Sequence, residues 1–193
     1  NSPDVGFDQS INPFQGCEHG CVYCYARPTH AYLGLSPGLD FETKIFAKSN
    51  AAELLRKELA RKSYKPSLIA LGANTDPYQP IERELGITRA VLEVLSEFNA
   101  PVSITTKSAL VARDIDILAP MAKKGLARVN VSLATVDPKL ARILDPRANA
   151  PHRRLRAMTE LSEAGVPVAV FASPMIPAIN DKELESILEA AAA

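Results

Sequence analysis

Gly16-Cys17-Glu18-His19-Gly20-Cys21-Val22-Tyr23-Cys24-Tyr25 holds all three cysteines of the chain, spaced C-x3-C-x2-C. Three thiolates on one short loop form a metal-binding arrangement, and their number carries information. Structural zinc sites and ordinary iron–sulfur clusters take four protein ligands. Three ligands leave one metal position open, and an open position marks a reactive site. Zinc, with His19 or His30 as a fourth ligand, is the alternative the spacing leaves open. It describes a non-catalytic zinc or iron–sulfur module, a sensor or a scaffold. A disulfide framework is poorly supported, because the cysteine count is odd and the chain is too long to need such staples.

Bulk properties bound the reading. The 193 residues fit a single domain, residues 1–193, on the scale of about 100–200 residues per domain. A hydrophobic fraction of 47% supports a sizeable core. Basic and acidic side chains balance at 22 each, whereas nucleic-acid binders usually show a basic excess. A nucleic-acid partner would therefore need a local patch. The two basic stretches, Arg56-Lys57 through Lys65 and His152-Arg153-Arg154 through Arg156, read as solvated faces. No apolar run approaches the ~20 residues of a membrane span, and no secretory pattern is visible. Clustered, reduced cysteines without an export signal point to the cytoplasm. The opening Asn1-Ser2-Pro3 lacks an initiator Met and reads as a processed or trimmed start.

Outward from the cysteines, short apolar runs alternate with amphipathic stretches. Strands are expected at residues 5–12, 43–47, 68–71, 102–105, 129–133 and 168–172. A short helix is expected at 22–33. Ser49 or Asn50 can cap a helix with Leu54, Leu55 and Leu59 on one face. Ile87, Val91, Leu92, Leu95 and Phe98 mark another. Ser108 caps a helix carrying Leu110, Val111, Ile115, Leu118 and Met121, stopped by Gly125. Asp137-Pro138 is a cap followed by Pro at the first helical position. Leu155, Met158 and Leu161 line a helix ending at Gly165, and Asn180 caps the last one, with Leu184, Ile187 and Leu188. Six βα units of about thirty residues imply a parallel sheet with right-handed crossovers.

In parallel α/β architectures chemistry sits at the C-terminal ends of strands, and polar residues gather there. Asn74, Thr75 and Asp76 follow the third strand; they can bond local backbone as a turn or hold a ligand amine. Lys107 precedes a helix start, where a cation opposes the helix dipole and a bound anion would remove the conflict. Ser132 ends the fifth strand. Met175 and Ile176 follow the sixth as apolar walls.

Tyr23 is an aromatic immediately before the third cysteine. With that residue the loop resembles the cluster loop of radical S-adenosylmethionine enzymes. The fuller pattern comprises Ile11-Asn12-Pro13-Phe14-Gln15-Gly16, Cys24-Tyr25-Ala26-Arg27-Pro28-Thr29-His30, Asn74-Thr75-Asp76-Pro77-Tyr78-Gln79-Pro80-Ile81-Glu82, Thr106-Lys107-Ser108 and Pro174-Met175-Ile176-Pro177. It is similar to the spore photoproduct lyase-related, DNA repair photolyase-like group of that family. The resemblance implies a six-stranded partial TIM barrel, (βα)6. It implies a [4Fe–4S] cluster on Cys17, Cys21 and Cys24 with S-adenosylmethionine chelating the open iron. Tyr23, Asn74, Thr75, Asp76, Lys107 and Ser132 would hold that cofactor, and Met175 and Ile176 would pack its adenine. An electron donor such as flavodoxin or ferredoxin would drive cleavage to a 5′-deoxyadenosyl radical, which abstracts hydrogen from an unknown substrate. One departure matters. Photoproduct lyases carry a hydrogen-donating cysteine where this chain has Ala73, and no fourth cysteine exists. The lyase reaction is therefore not expected, and Tyr25 and Tyr78 are the candidates to replace the thiol.

Overall fold

The computed structural model describes residues 6–193. Val5, where the expected first strand begins, lies outside the described residues, as does the opening Asn1-Ser2-Pro3. In chain order the elements are β1 (Gln9–Ile11), β2 (Phe14–Gln15), α1 (Leu39–Thr43), β3 (Phe46–Ala47), α2 (Ala51–Leu59), β4 (Ile69–Leu71), α3 (Glu82–Leu85) and α4 (Ile87–Glu97). They continue with β5 (Val102–Thr106), α5 (Ile115–Lys123), β6 (Ala127–Ser132), α6 (Pro138–Leu144), α7 (Pro151–Glu163), β7 (Val168–Phe171) and α8 (Leu184–Ala192). Tight 3-10 turns occupy Arg27–Leu33, Ala109–Asp114 and Asp181–Glu183.

Five strands form one wholly parallel sheet in the order β1-β4-β5-β6-β7. All three residues of β4 are buried, as an unbroken apolar run between two covered faces requires. Leu71 lies opposite Ile104, Ile104 opposite Val129 and Val129 opposite Val168, which carries an apolar row across the sheet. Against it, α4 buries Ile87, Val91, Leu92 and Leu95, α5 buries Leu118 and Met121, and α7 buries Met158 and Leu161. Ser108 accepts from the Leu110 amide and Asp137 from the Lys139 amide, so both expected caps form. No helix among the described residues is long and apolar enough to cross a membrane.

Four local expectations change. The segment at 43–47 does not join the parallel sheet. Thr43 closes α1, and only Phe46 and Ala47 are extended, pairing antiparallel with β2. Both are exposed, so nothing drives them into a two-sided core. The described residues thus hold five parallel strands where six were expected. The helix expected at 22–33 contracts to Arg27–Leu33, because the Val22 amide bonds Leu144 O and the Cys24 amide bonds Cys21 O. Leu54 faces solvent, as do Leu184 and Leu188 in part, and the seat of α8 is Ile187. Asn50 stands before α2 with no side-chain cap bond, and Asn180 makes none either. Its amide instead accepts from the Ile176 amide and donates to Ala134 O and Pro174 O.

Candidate functional site

A cavity of about 430 Å³ opens at the C-terminal ends of the parallel strands. Cys17, Cys21, Cys24, Tyr23, Tyr25, Asn74, Thr75, Asp76, Lys107 and Ser132 all line it. Residues from four separate chain segments, nominated from sequence, thus meet around one space.

The cysteine loop owes its shape to specific contacts. Gly16 and Gly20 adopt φ of 85° and 67°, conformations glycine takes without steric cost. A Cβ on Gly16 would stand 2.9 Å from Phe41 O. The Cys17 amide donates to Phe41 O at 2.9 Å. Gln79 donates to Gly16 O at 3.1 Å and accepts from the Glu18 amide at 3.0 Å. Arg27 clasps Cys21 O with two N–H groups, at 3.3 and 3.0 Å. The thiols are unpaired, and Cys17 and Cys21 are buried. Burial pushes the Cys17 thiol up to about 12 and raises Cys21 still further. A positively charged metal reverses that preference, since a coordinated thiol is deprotonated.

Among the described residues, no group of three His, Cys, Asp or Glu side chains is arranged to hold a metal ion. A four-iron cluster places each thiolate on a different iron, so its ligands need not converge on one point. Three thiols opening into one cavity, on a loop whose glycines allow close approach, fit such a group.

Asp76 organises the opposite wall. Its Oδ1 accepts from the Tyr78 amide at 2.9 Å and the Thr106 hydroxyl at 2.7 Å. Its Oδ2 accepts from the Lys107 amide at 2.7 Å and lies 3.4 Å from His19 Nδ1. Both oxygens are thus engaged within the protein. Asn12 Oδ1 holds the Asn74 and Thr75 amides at 2.9 and 3.4 Å, and the Thr75 hydroxyl donates to Phe14 O at 2.7 Å. The Lys107 ammonium sits 5.5 Å from the centre of the Tyr23 ring, and no carboxylate of the described residues pairs with it. The Ser132 hydroxyl reaches Ser173 O at 3.4 Å.

Some nominated residues lie elsewhere. Tyr78 does not face the cavity. It is 1% exposed, its hydroxyl donates to Asp114 at 3.1 Å, and Arg113 covers its ring at 5.9 Å. Its aromatic bulk belongs to the main core. Met175 and Ile176 are half-buried and are not among the lining residues, which are Phe171, Ser173 and Pro174 at that strand end. The turn closed by Asn180 on the Ile176 amide takes the chain away there. His30 is also off the cavity: it is fully buried, with Nε2 on Lys44 O at 3.0 Å and its ring edge-on to Phe41. His19 does line the cavity, and burial holds its imidazole below the ordinary pKa despite the opposing pull of Asp76. Tyr25 lies at the mouth, 76% exposed, with its hydroxyl donating to Ala73 O.

Sequence reasoning missed Asp145 and misplaced Arg154, which reads as part of a solvated basic face but is 2% exposed. The Tyr23 hydroxyl donates to Asp145, and Arg154 grips the same carboxylate at 3.0 and 3.1 Å. One signal was available: Arg154, four residues before Met158 and seven before Leu161, occupies a position on the buried stripe of α7. A charge there needs a buried partner.

An uncharacterized protein of Mycobacterium tuberculosis is 39% identical over 181 residues, covering 94% of this chain and 53% of that protein. The chain thus spans about half the length of the curated relatives it matches. Among solved structures, a spore photoproduct lyase mutant with bound AdoMet and dinucleoside spore photoproduct aligns with a TM-score of 0.68 at 17% identity, over 97% of this chain and 55% of that one. Native anSMEcpe with bound AdoMet and a peptide aligns with a TM-score of 0.53 at 16% identity, over 84% and 41%. At such identities these structures show a shared fold. The family model of the Radical SAM superfamily matches residues 11–191, nearly the whole chain, which therefore belongs to that superfamily.

Proposed function

We propose that this chain is the core of a radical S-adenosylmethionine enzyme. Cys17, Cys21 and Cys24 would hold a [4Fe–4S] cluster, and the cavity beside them would take S-adenosylmethionine. The observation that carries this reading is the meeting of three thiols with the Lys107 ammonium, with which no carboxylate of the described residues pairs, in one cavity at the strand ends. When bound, the cluster and S-adenosylmethionine supply one-electron cleavage of the sulfonium to a 5′-deoxyadenosyl radical, chemistry the protein does not itself carry.

The chain's residues bind, orient and exclude water. Lys107 supplies the positive charge for a methionyl carboxylate. Asp76 fixes the Lys107 backbone and so acts by positioning. Tyr23 and Ser132 line the space for the rest of the cofactor. Phe7, Tyr25 and Phe171 line the cavity with apolar surface that keeps water from a reactive intermediate. A flavodoxin or ferredoxin is the expected source of the electron. The five parallel strands and their helices are read as the partial barrel of this family. The same cavity would admit the substrate from which the bound group takes hydrogen. Spore photoproduct repair is not proposed, because Ala73 offers no thiol. Tyr25, whose hydroxyl reaches the Ala73 carbonyl, is our candidate to donate hydrogen in its stead.

The test is spectroscopic. The chain is loaded anaerobically with iron and sulfide, reduced, and examined by electron paramagnetic resonance with and without S-adenosylmethionine. A reduced-cluster signal that changes on adding S-adenosylmethionine is expected. A signal indifferent to it, or a colourless chain retaining zinc, overturns the reading.

A further inference from the structure

The connection between α6 and α7 meets the cysteine loop almost residue by residue. Leu144 O accepts from the Val22 amide at 3.0 Å, and the Arg147 amide donates to His19 O at 3.1 Å. The Arg147 guanidinium donates to Glu18 O and pairs with Glu42. Asp145 accepts from the Tyr23 hydroxyl, and its charge acts on the Cys21 thiol. Asn149 Oδ1 accepts from the Ala109 amide at 2.7 Å and the Ser108 hydroxyl at 3.2 Å, next to Lys107.

Behind this connection sits Arg154, 2% exposed. It donates to Asn149 O at 2.6 Å, to Ser132 O at 2.9 Å and to Asp145. One guanidinium therefore ties the end of β6, the α6–α7 connection and, through Asp145, the cysteine loop. Burial works against charge on Asp145, but Arg154 and Lys107 outweigh it and hold its carboxyl below the usual carboxylate range. Buried ion pairs are poor sources of stability compared with apolar contacts of similar volume. A pair placed behind Tyr23 of the loop is better understood by the geometry it imposes.

We propose that residues 144–149 form a bracket that holds the three-cysteine loop in its binding shape before any iron arrives, with Asp145 as a positioning residue for Tyr23 and Arg154 as its buried counter-charge. The loop's role as a cluster site rests on the reading above; its preformation does not. Iron and sulfide then enter a loop already closed on one side, and little of their binding energy goes into ordering the chain.

Amide hydrogen exchange on the cluster-free full chain tests this. The Val22 and Arg147 amides exchange about 100-fold or more slowly than in an unfolded peptide, as locally stable structure requires. Arg147→Ala, a change at a half-exposed side chain outside the core, speeds exchange across residues 17–24 by roughly tenfold while leaving the β4, β5 and β6 amides unchanged. A loop that exchanges at the unfolded rate in the parent chain overturns the bracket. The role of Asp145 has its own readout. In cluster-loaded Asp145→Asn, loss of a negative charge beside Cys21 moves the midpoint potential upward, and an unmoved potential overturns that role. If this variant does not fold, the exchange result for Arg147→Ala decides alone. An unprotected loop on a chain that still loads a cluster sinks the bracket and spares the enzymatic reading. A protected loop that takes up no cluster supports the bracket and sinks the enzymatic reading.

Discussion

Replacing Asp76 with Asn should destabilise the chain in the absence of any cofactor. Asp76 is 8% exposed at its side chain and receives three hydrogen bonds at 2.7–2.9 Å, with His19 Nδ1 at 3.4 Å. Asn can keep one oxygen on the Tyr78 amide and the Thr106 hydroxyl. Its NH2 group then faces the Lys107 amide, setting donor against donor. An unsatisfied buried donor costs about 1–3 kcal/mol, and the bonds that remain lose the strength an ionised acceptor gives. We expect about 2–4 kcal/mol in total. For a domain of this length each kcal/mol lowers Tm by about 2–4 °C, so the shift is roughly 4–16 °C. Urea denaturation of the cluster-free chain, followed by circular dichroism, reads it directly. The slope of the transition should stay fixed while the midpoint falls. If Asp76 served only to bind a cofactor, the cofactor-free chain would not register its loss. A change below about 0.5 kcal/mol, the range of an unremarkable surface substitution, would refute the reasoning.

Three further outcomes follow from the same geometry. Tyr78→Phe removes the hydroxyl bond to Asp114 and should cost about 1–2 kcal/mol without changing S-adenosylmethionine cleavage; a loss of cleavage in a stable variant would return Tyr78 to the site. Lys107→Gln should weaken S-adenosylmethionine binding by about 10–100-fold, the worth of a charge-assisted bond. Its cofactor-free stability should stay within about 0.5 kcal/mol of the parent, and calorimetry on the loaded chain checks the affinity. Burial holds the Cys17 thiol near 12, so its alkylation by iodoacetamide in the cluster-free chain should rise about tenfold per pH unit between pH 7 and 10, following the thiolate fraction. A rate that levels off near pH 8.5, read by mass spectrometry of the Cys17 peptide, would contradict a buried thiol.

The parts of the site legible in the sequence are those in which local pattern and chemistry coincide. The cysteine spacing is visible as three thiols on one short loop, and Lys107 stands out as a cation placed against a helix start. Asn74, Thr75 and Asp76 were readable as polar residues after a buried strand, because β4 is an uninterrupted apolar run. What Asp76 does was not readable. Its partners come from β5 and the cysteine loop, and only the register of β4 on β5 brings them within reach. The segment at 43–47 misled because Ile45 and Phe46 look like a strand core, whereas a two-residue ladder beside the loop is set by tertiary contact. Tyr78 looked catalytic by its place in the motif, but an aromatic ring after Pro77 found more to bury than to expose. Asp145, backed by Arg154, meets Tyr23 across more than a hundred residues of chain, a pairing that no local periodicity encodes. The lone charge on the stripe of α7 was the only trace of it.

The reaction proposed for this cavity is reductive cleavage of S-adenosylmethionine. Its most direct test is anaerobic: the chain, reconstituted with iron and sulfide, receives dithionite and S-adenosylmethionine, and 5′-deoxyadenosine is quantified by chromatography. The account predicts 5′-deoxyadenosine from the parent chain and none from Cys21→Ala. A reconstituted parent chain that forms none, or a Cys21→Ala variant that forms as much as the parent, would contradict it.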